Sequence, residues 1–297
     1  MALAPAAAYE LRTEKLRRLA DCLSTAPDAS SASAVQPVVL AVCGSFNPIH
    51  AAHLKLFDAA KAAVDGVDGR VVLGGFLSPV SDAYGKPGLR RAADRVRIAE
   101  EALRHHPGLS VDTWECQQPT YTRTLFVLQA LEEHVAAWYA TSEPAVVRTL
   151  AAHGRRVRVV LVCGADLFSS FWIPRCWPLS LLQRLLDEFA LVVVHRDDAH
   201  GDVRGADDFA RVCRTAPLLT ETAEDGATLT IDMSQYTFTF ASFAVPDDTS
   251  STAVRAAVAD LLRVAPGDEV ARAAVESRLR VMLPADAVQC VVDVYGR

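Results

Sequence analysis

Residues 38–54 read VVLAVCGSFNPIHAAHL. The stretch has three parts: an apolar run over residues 38–42, a loop Cys43-Gly-Ser-Phe-Asn-Pro-Ile-His, and a helix opening near Ala51. A continuous apolar run suits a strand covered on both faces. Gly44, Ser45, Asn47 and Pro48 are turn residues. A strand, a small-residue loop and a helix start together make an anion site, because free N–H groups and the positive end of the helix dipole face one point. His50 and His53 stand at that point. Imidazolium beside helix-end donors is what a polyphosphate needs; the plainer reading is two polar side chains at a helix start.

Outward from this stretch the pattern alternates. Helices are expected over residues 53–64, 90–106, 122–140, 179–188, 250–264, 269–282 and 285–295, and strands over 71–77, 109–113, 157–163 and 191–195. Residues 228–231 and 237–243 are strand-like. Alternation of this kind predicts an α/β fold: a Rossmann-like, doubly wound, mostly parallel sheet with right-handed crossovers, closed by C-terminal helices. Ligands of such sheets sit at the C-terminal strand ends. The chemically suggestive stretches fall there: residues 44–53, Trp114, residues 164–166 and the loop before Ser250.

Residues 1–36 read as an N-terminal extension and linker, with a low-complexity start, a helix-compatible stretch over 9–23 and a Ser/Ala-rich run over 24–34. Residues 37–297 form the expected domain, with a polar, acidic surface insertion at about 197–227. The net charge of −6 argues against nucleic acid as a partner. No apolar run approaches a membrane span. Seven scattered cysteines without a CxxC pair suit buried thiols in a reducing compartment. The acidic residues Glu10, Glu14, Asp21 and Asp28 are unlike a mitochondrial presequence, which leaves a cytoplasmic or nuclear setting. Self-association is compatible with the Ala-rich composition, with no interface legible.

Neither a GxGxxG fingerprint nor a Walker-type loop is present, so a dehydrogenase or P-loop reading fails. Zinc is disfavoured because His50 and His53 lack third and fourth ligands at suitable spacing.

The stretch GSFNPIHAAHL resembles the (H/T)xxH nucleotidyltransferases, in particular the nicotinamide mononucleotide adenylyltransferases of eukaryotic type. Four further segments carry the resemblance in order: SPVSDAYGKPGL at 78–89, Trp114-Glu115 followed by Tyr121 and Thr124, CGADL at 163–167 running on to Trp177, and DTSSTAVR at 248–255. It covers residues 38 to about 264 and the closing helices, but neither the extension nor the insertion. It implies ATP and nicotinamide mononucleotide as substrates, NAD and pyrophosphate as products, and magnesium bound with ATP. Nicotinate mononucleotide is an open second substrate.

By the resemblance, His53 and Arg255 stabilise charge on the phosphates, with His50 in support. Gly44, Ser45, Gly164, Asp166, Ser250, Ser251 and Thr252 join them around ATP, and Phe46 packs beside the ligand. Lys86 takes the mononucleotide phosphate, also approached by Ser45. Tyr121, Thr124 and Trp177 wall the base, and the Cys176 backbone holds its carboxamide. Taken alone, several of these have plainer roles: Ser250 a helix cap, Asp166 likewise, Lys86 a solvated charge, Trp177 core packing. Asp247 stands where relatives often carry Asn. Two other classes stay open: another HxxH enzyme such as a cytidylyltransferase, or a non-catalytic nucleotide-binding or chaperone-like protein on the same fold. No KMSKS-like segment favours a synthetase.

Overall fold

A computed structural model describes residues 9–24, 35–196, 206–222, 226–244 and 249–296. In chain order the helices are α1 (Leu19–Ser24), α2 (Ala51–Val64), α3 (Ala92–Leu103), α4 (Thr124–Ser142), α5 (Pro144–Ala152), α6 (Ala165–Ser169), α7 (Leu179–Glu188), α8 (Ala206–Thr215), α9 (Ser251–Arg263), α10 (Glu269–Met282) and α11 (Ala287–Tyr295). The strands are β1 (Gln36–Gly44), β2 (Arg70–Pro79), β3 (Leu109–Val111), β4 (Arg158–Gly164), β5 (Ala190–Arg196), β6 (Leu218–Thr222), β7 (Thr228–Asp232) and β8 (Thr239–Phe243).

Six strands form one sheet in the order β3-β2-β1-β4-β5-β8, every pairing parallel. The expected doubly wound sheet is therefore present. Successive residues of a strand point to opposite faces, and both faces are filled. Val39 and Ala41 of β1 join Leu161 and Val193 in the core under α4 and α7. Val38, Leu40 and Val42 join Val160 and Val192 under α2, α3 and α9. The strand order reverses between β1 and β4, so the crevice at their C-terminal ends is the natural ligand position. Gly75 of β2 lets α2 lie close: a Cβ there would come within 2.2 Å of the Phe57 ring.

Two expectations change. The stretch 9–23 is helical only from Leu19, and it is no loose appendage. Leu19 and Cys22 are buried in the main core. The Arg17 amide donates to the Leu73 carbonyl at 2.8 Å, and Lys15 Nζ to that of Leu109 at 3.1 Å. Those bonds to β2 and β3, with a turn closed by the Leu16 amide on the Thr13 carbonyl at 3.0 Å, keep residues 9–18 out of the helix that leucine spacing suggested. Glu143 accepts from the Leu19 and Ala20 amides at the start of α1. The second change concerns the insertion. Its described part contains α8 and β6; β6 pairs antiparallel with β7, and Phe209, Cys213 and Leu219 are buried. Residues 1–8, 25–34, 197–205 and 223–225 lie outside the described residues, as do Asp247 and Asp248. Among the described residues no helix is long and apolar enough to cross a membrane.

Candidate active site

The site is built around the loop after β1. Phe46 there takes a positive φ of 42° and tucks its ring beneath Gly44, where a Cβ would meet it at 3.2 Å. The ring is buried and stands edge-on to His53 at 5.0 Å between centroids. Phe46 is thus a buttress for His53, where sequence reading gave it a place beside the ligand. The carbonyls of Gly44 and Ser45 are held from behind, by the Val80 amide at 3.0 Å and by Arg95 at 2.8 Å.

Asn47, 5% exposed, is the hub. Its Nδ2 donates to the Gly88 carbonyl at 2.9 Å. Its Oδ1 accepts from the Arg90 amide at 3.1 Å and from the Tyr295 hydroxyl at 2.5 Å. Its backbone carbonyl accepts from Arg255 at 2.7 Å. One residue therefore ties the 44–50 loop to the Lys86 loop and the last turn of α11 through its side chain, and to α9 through its backbone carbonyl.

His50 precedes α2, and His53 lies in its first turn. The two rings are 3.8 Å apart. His53 Nδ1 accepts from the His50 amide at 3.1 Å. A neutral ring that accepts at Nδ1 carries its proton on Nε2, so His53 is fixed as an Nε2–H donor. Both rings are neutral in the free protein, contrary to the imidazolium reading. Burial pushes His50 down to about 2, helped by His53 and Arg196. Burial and then Arg196 push His53 down to about 3. His50 Nδ1 is buried with no hydrogen-bond partner among the described residues.

The start of α9 meets the same loop. Ser250 caps the helix, its Oγ accepting from the Ala253 amide at 3.1 Å. Ser251 Oγ donates to the Pro48 carbonyl at 2.8 Å. Arg255 reaches Thr252 Oγ1 at 3.1 Å while holding Asn47. The early and late helix starts, far apart in sequence, therefore lie against one loop. Gly164 ends β4, the neighbour of β1, and Asp166 is exposed in the first turn of α6.

The remaining residues form a looser wall. Lys86 is exposed in the loop between Gly85 and Gly88, both at positive φ. The Tyr121 ring stands 5.4 Å from Tyr84, with the Arg123 guanidinium 5.2 Å from its centroid. Thr124 opens α4. Trp177 packs edge-on against Phe171, and its Nε1 donates to Ser170 Oγ at 2.8 Å, so the plainer packing role is real. Cys176 is exposed; its amide already donates to the Ile173 carbonyl at 3.1 Å, leaving only its carbonyl for a ligand.

Sequence reading missed Arg95, Arg196 and Tyr295 and used Asn47 only as a turn residue. Arg95 was legible: it falls on the buried stripe of α3 with Ala92, Ala99 and Ala102. Arg196 ends β5 and donates to the Thr249 carbonyl at 2.9 Å; nothing local in sequence marks it. Glu115, quoted only as part of a motif, is buried beneath the β2 end with Ser78 Oγ at 3.4 Å, and burial raises its pKa to about 8.

A Rossmann-like sheet with an HxxH loop at its switch point, met by a second helix start, defines a nucleotide-binding domain of the nucleotidyltransferase class. The chain belongs to the cytidylyltransferase-like family, whose pattern matches residues 41–257. It is 34% identical to nicotinamide/nicotinic acid mononucleotide adenylyltransferase 1 of Bos taurus over 182 residues, 54% of this chain and 65% of that one. It is 36% identical to the enzyme of the same name from Saccharomyces cerevisiae, over 57% of this chain and 40% of the relative. The Arabidopsis thaliana nicotinamide/nicotinic acid mononucleotide adenylyltransferase is 32% identical over 62% of this chain and 74% of its own length. The match thus spans less than two thirds of the bovine and yeast relatives. The solved Plasmodium falciparum nicotinic acid mononucleotide adenylyltransferase complexed with APC shares the fold, with a TM-score of 0.50 at 11% identity, over 87% of this chain and 97% of that one. The resemblance read from the sequence is borne out by these relatives.

Proposed function

We propose that the protein transfers the adenylyl group of ATP to nicotinamide mononucleotide, and to nicotinate mononucleotide as a second acceptor, in NAD biosynthesis. The observation that carries this reading is the convergence of α2 and α9 on the loop 44–50, with Arg255 on the Asn47 carbonyl and Ser251 on that of Pro48. Relatives named for this activity support the choice of substrates.

The reaction needs no protein nucleophile. A phosphate oxygen of the mononucleotide forms a bond to the α-phosphorus of ATP. The bond to the bridging oxygen breaks, and pyrophosphate leaves with that electron pair. Catalysis is then positioning and charge stabilisation. In this reading His53 donates through Nε2–H to the phosphates as a neutral group, and His50 supports it through its unpartnered Nδ1. Arg255, with Ser250, Ser251 and Thr252 around the start of α9, holds the leaving triphosphate end, and Arg196 adds positive charge beside the histidines. Gly44, Ser45, Gly164 and Asp166 line the nucleotide. Lys86 takes the mononucleotide phosphate, while Tyr121, Thr124, Trp177 and the Cys176 carbonyl enclose the base.

Magnesium enters with ATP as part of the substrate. The corner offers hydroxyls, imidazole and guanidinium, and no trio of His, Cys, Asp or Glu suited to a resident ion stands among the described residues. Phosphate oxygens and water would be its ligands. A cytoplasmic or nuclear setting and self-association belong to the same reading; size-exclusion chromatography tests the latter.

The direct test is incubation with ATP, magnesium and either mononucleotide, with products separated by chromatography. Dinucleotide and pyrophosphate in equal amounts are expected. Absence of dinucleotide from both acceptors defeats the reading.

A further inference from the structure

Arg95 is the largest fully buried side chain among the described residues, with 0% of its surface exposed. It comes from α3, which carries none of the groups assigned to substrate. A guanidinium has five N–H donors in one plane and cannot shed its charge, so burying it demands several fixed acceptors. Arg95 finds them on three separate stretches. One NH donates to the Ser45 carbonyl at 2.8 Å. Another reaches the Val80 carbonyl at 2.6 Å and Asp82 Oδ1 at 3.4 Å. Its Nε donates to the Arg90 carbonyl at 2.8 Å.

Those acceptors are not scattered. Ser45 lies in the phosphate loop. Val80 and Asp82 begin the loop that carries Lys86, and Arg90 ends it. One planar group thus grips the phosphate loop and both ends of the Lys86 loop. The grip on Ser45 has a further consequence. In a trans peptide the C=O and the following N–H point to opposite sides. Holding the Ser45 oxygen on the buried guanidinium turns the Phe46 N–H to the opposite side. Asp82 joins α3 to the clamp, because its Oδ1 also accepts from the Ala92 amide at 2.6 Å.

We propose that Arg95 is a positioning residue that sets the phosphate loop and the Lys86 loop in register, so that the two substrates' phosphates are presented to each other. The inference rests on the adenylyltransferase reading and deepens it. Arg95 touches neither substrate; it acts through the Ser45–Phe46 peptide and through the ends of the 80–90 segment. Lysine keeps the charge but cannot hold three carbonyls in one plane.

The test compares wild type with Arg95→Lys well below the melting temperature of both. With circular dichroism unchanged, the expected result is a kcat at least tenfold lower and a KM for the mononucleotide at least fivefold higher. Guanidinium ion added to Arg95→Ala restores part of kcat, and it does nothing for His53→Ala. A folded Arg95→Lys with kcat and mononucleotide KM within twofold of wild type overturns the proposal. Loss without guanidinium rescue, in step with falling thermal stability alone, also overturns it. Should Arg95→Lys fail to fold, Asp82→Asn carries the same reading in smaller form, since Asn keeps the Ala92 cap but removes the charge facing Arg95. An unchanged mononucleotide KM there overturns the clamp. If the wild type makes no dinucleotide, the adenylyltransferase reading has failed, and the clamp is judged by hydrogen exchange. Residues 45–50 and 82–90 must then lose protection together in the variant, and separate behaviour overturns it.

Discussion

The corner proposed for the triphosphate and the wall proposed for the base are built differently. In the corner, the loop 44–50 is pinned from four directions, and Asn47 and His50 are 5% and 3% exposed. Along the wall, Tyr84 and Tyr121 are 44% and 40% exposed, Cys176 is exposed, and Lys86 projects from a loop turned at two glycines of positive φ. The corner therefore meets a ligand with donors already set, whereas the exposed side chains of the wall give up rotamer freedom when they bind. Substitutions in the corner should cost turnover, and those in the wall should cost affinity.

The largest effect belongs to His53. Its Nε2–H is oriented by the His50 amide, and removing one preorganised donor typically lowers kcat ~100-fold or more. His53→Ala is expected to keep its circular dichroism spectrum and lose that much turnover in a continuous assay. Near-normal kcat would break the contrast at its strongest point.

The same burial makes a stability prediction. His50 and His53 remain neutral in the folded protein down to about 2 and about 3. An unfolded histidine takes up its proton near pH ~6.5, so below that pH the unfolded state binds protons the folded state refuses. Stability is complete above that range and falls as the pH drops. Each histidine contributes a loss of about 1.4 kcal/mol one pH unit below its unfolded value. Glu115 works the other way: it keeps its proton to about 8 while an unfolded glutamate loses it near ~4.3, so its share of stability is lost as pH rises. Comparing the melting temperature of wild type with a His50→Gln, His53→Gln variant from pH 7.5 to 5.5 isolates the histidines. The variant should show the flatter acid limb; parallel curves would mean that the rings are solvated.

Arg255 comes next. It bridges the Asn47 carbonyl and Thr252 Oγ1 with a planar fork. Arg255→Ala should lower turnover at least tenfold, and Arg255→Lys should recover little of it, because one ammonium cannot span both acceptors and a phosphate. Full rescue by lysine would reduce the residue to a point charge.

The contrast also explains what could be read from the chain. The corner was legible because its chemistry is local: an apolar strand, a small-residue loop and two histidines are contiguous, and strands covered on both faces announce a parallel sheet. The wall was legible only as motif fragments, since Tyr84, Tyr121 and Trp177 look like ordinary packing aromatics. Residues acting across long separations were hidden. Arg196 affects the histidines from the end of β5, and Tyr295 reaches Asn47 from the last helix. The stretch 9–18 misled because leucine spacing reports amphipathicity but not the carbonyls of β2 and β3 that take its amide and ammonium donors instead. The helix α5 could have been found from Pro144, a residue favoured at a first helical position.

The smallest effect tests the wall itself. Lys86 has an exposed side chain, although its loop is held by Asn47 at Gly88 and Arg90 and its own carbonyl accepts from the Leu89 amide at 3.1 Å. A side chain of that kind gains its contact on binding and holds it equally in ground and transition states, which is uniform binding. Lys86→Ala should therefore raise the mononucleotide KM about fivefold, about 1 kcal/mol, and leave kcat within twofold. Initial rates across a mononucleotide range at saturating ATP separate the two parameters. A fall in kcat with unchanged KM would mean that Lys86 acts on the transferring phosphate, and the division between a preset corner and a yielding wall would then be drawn in the wrong place.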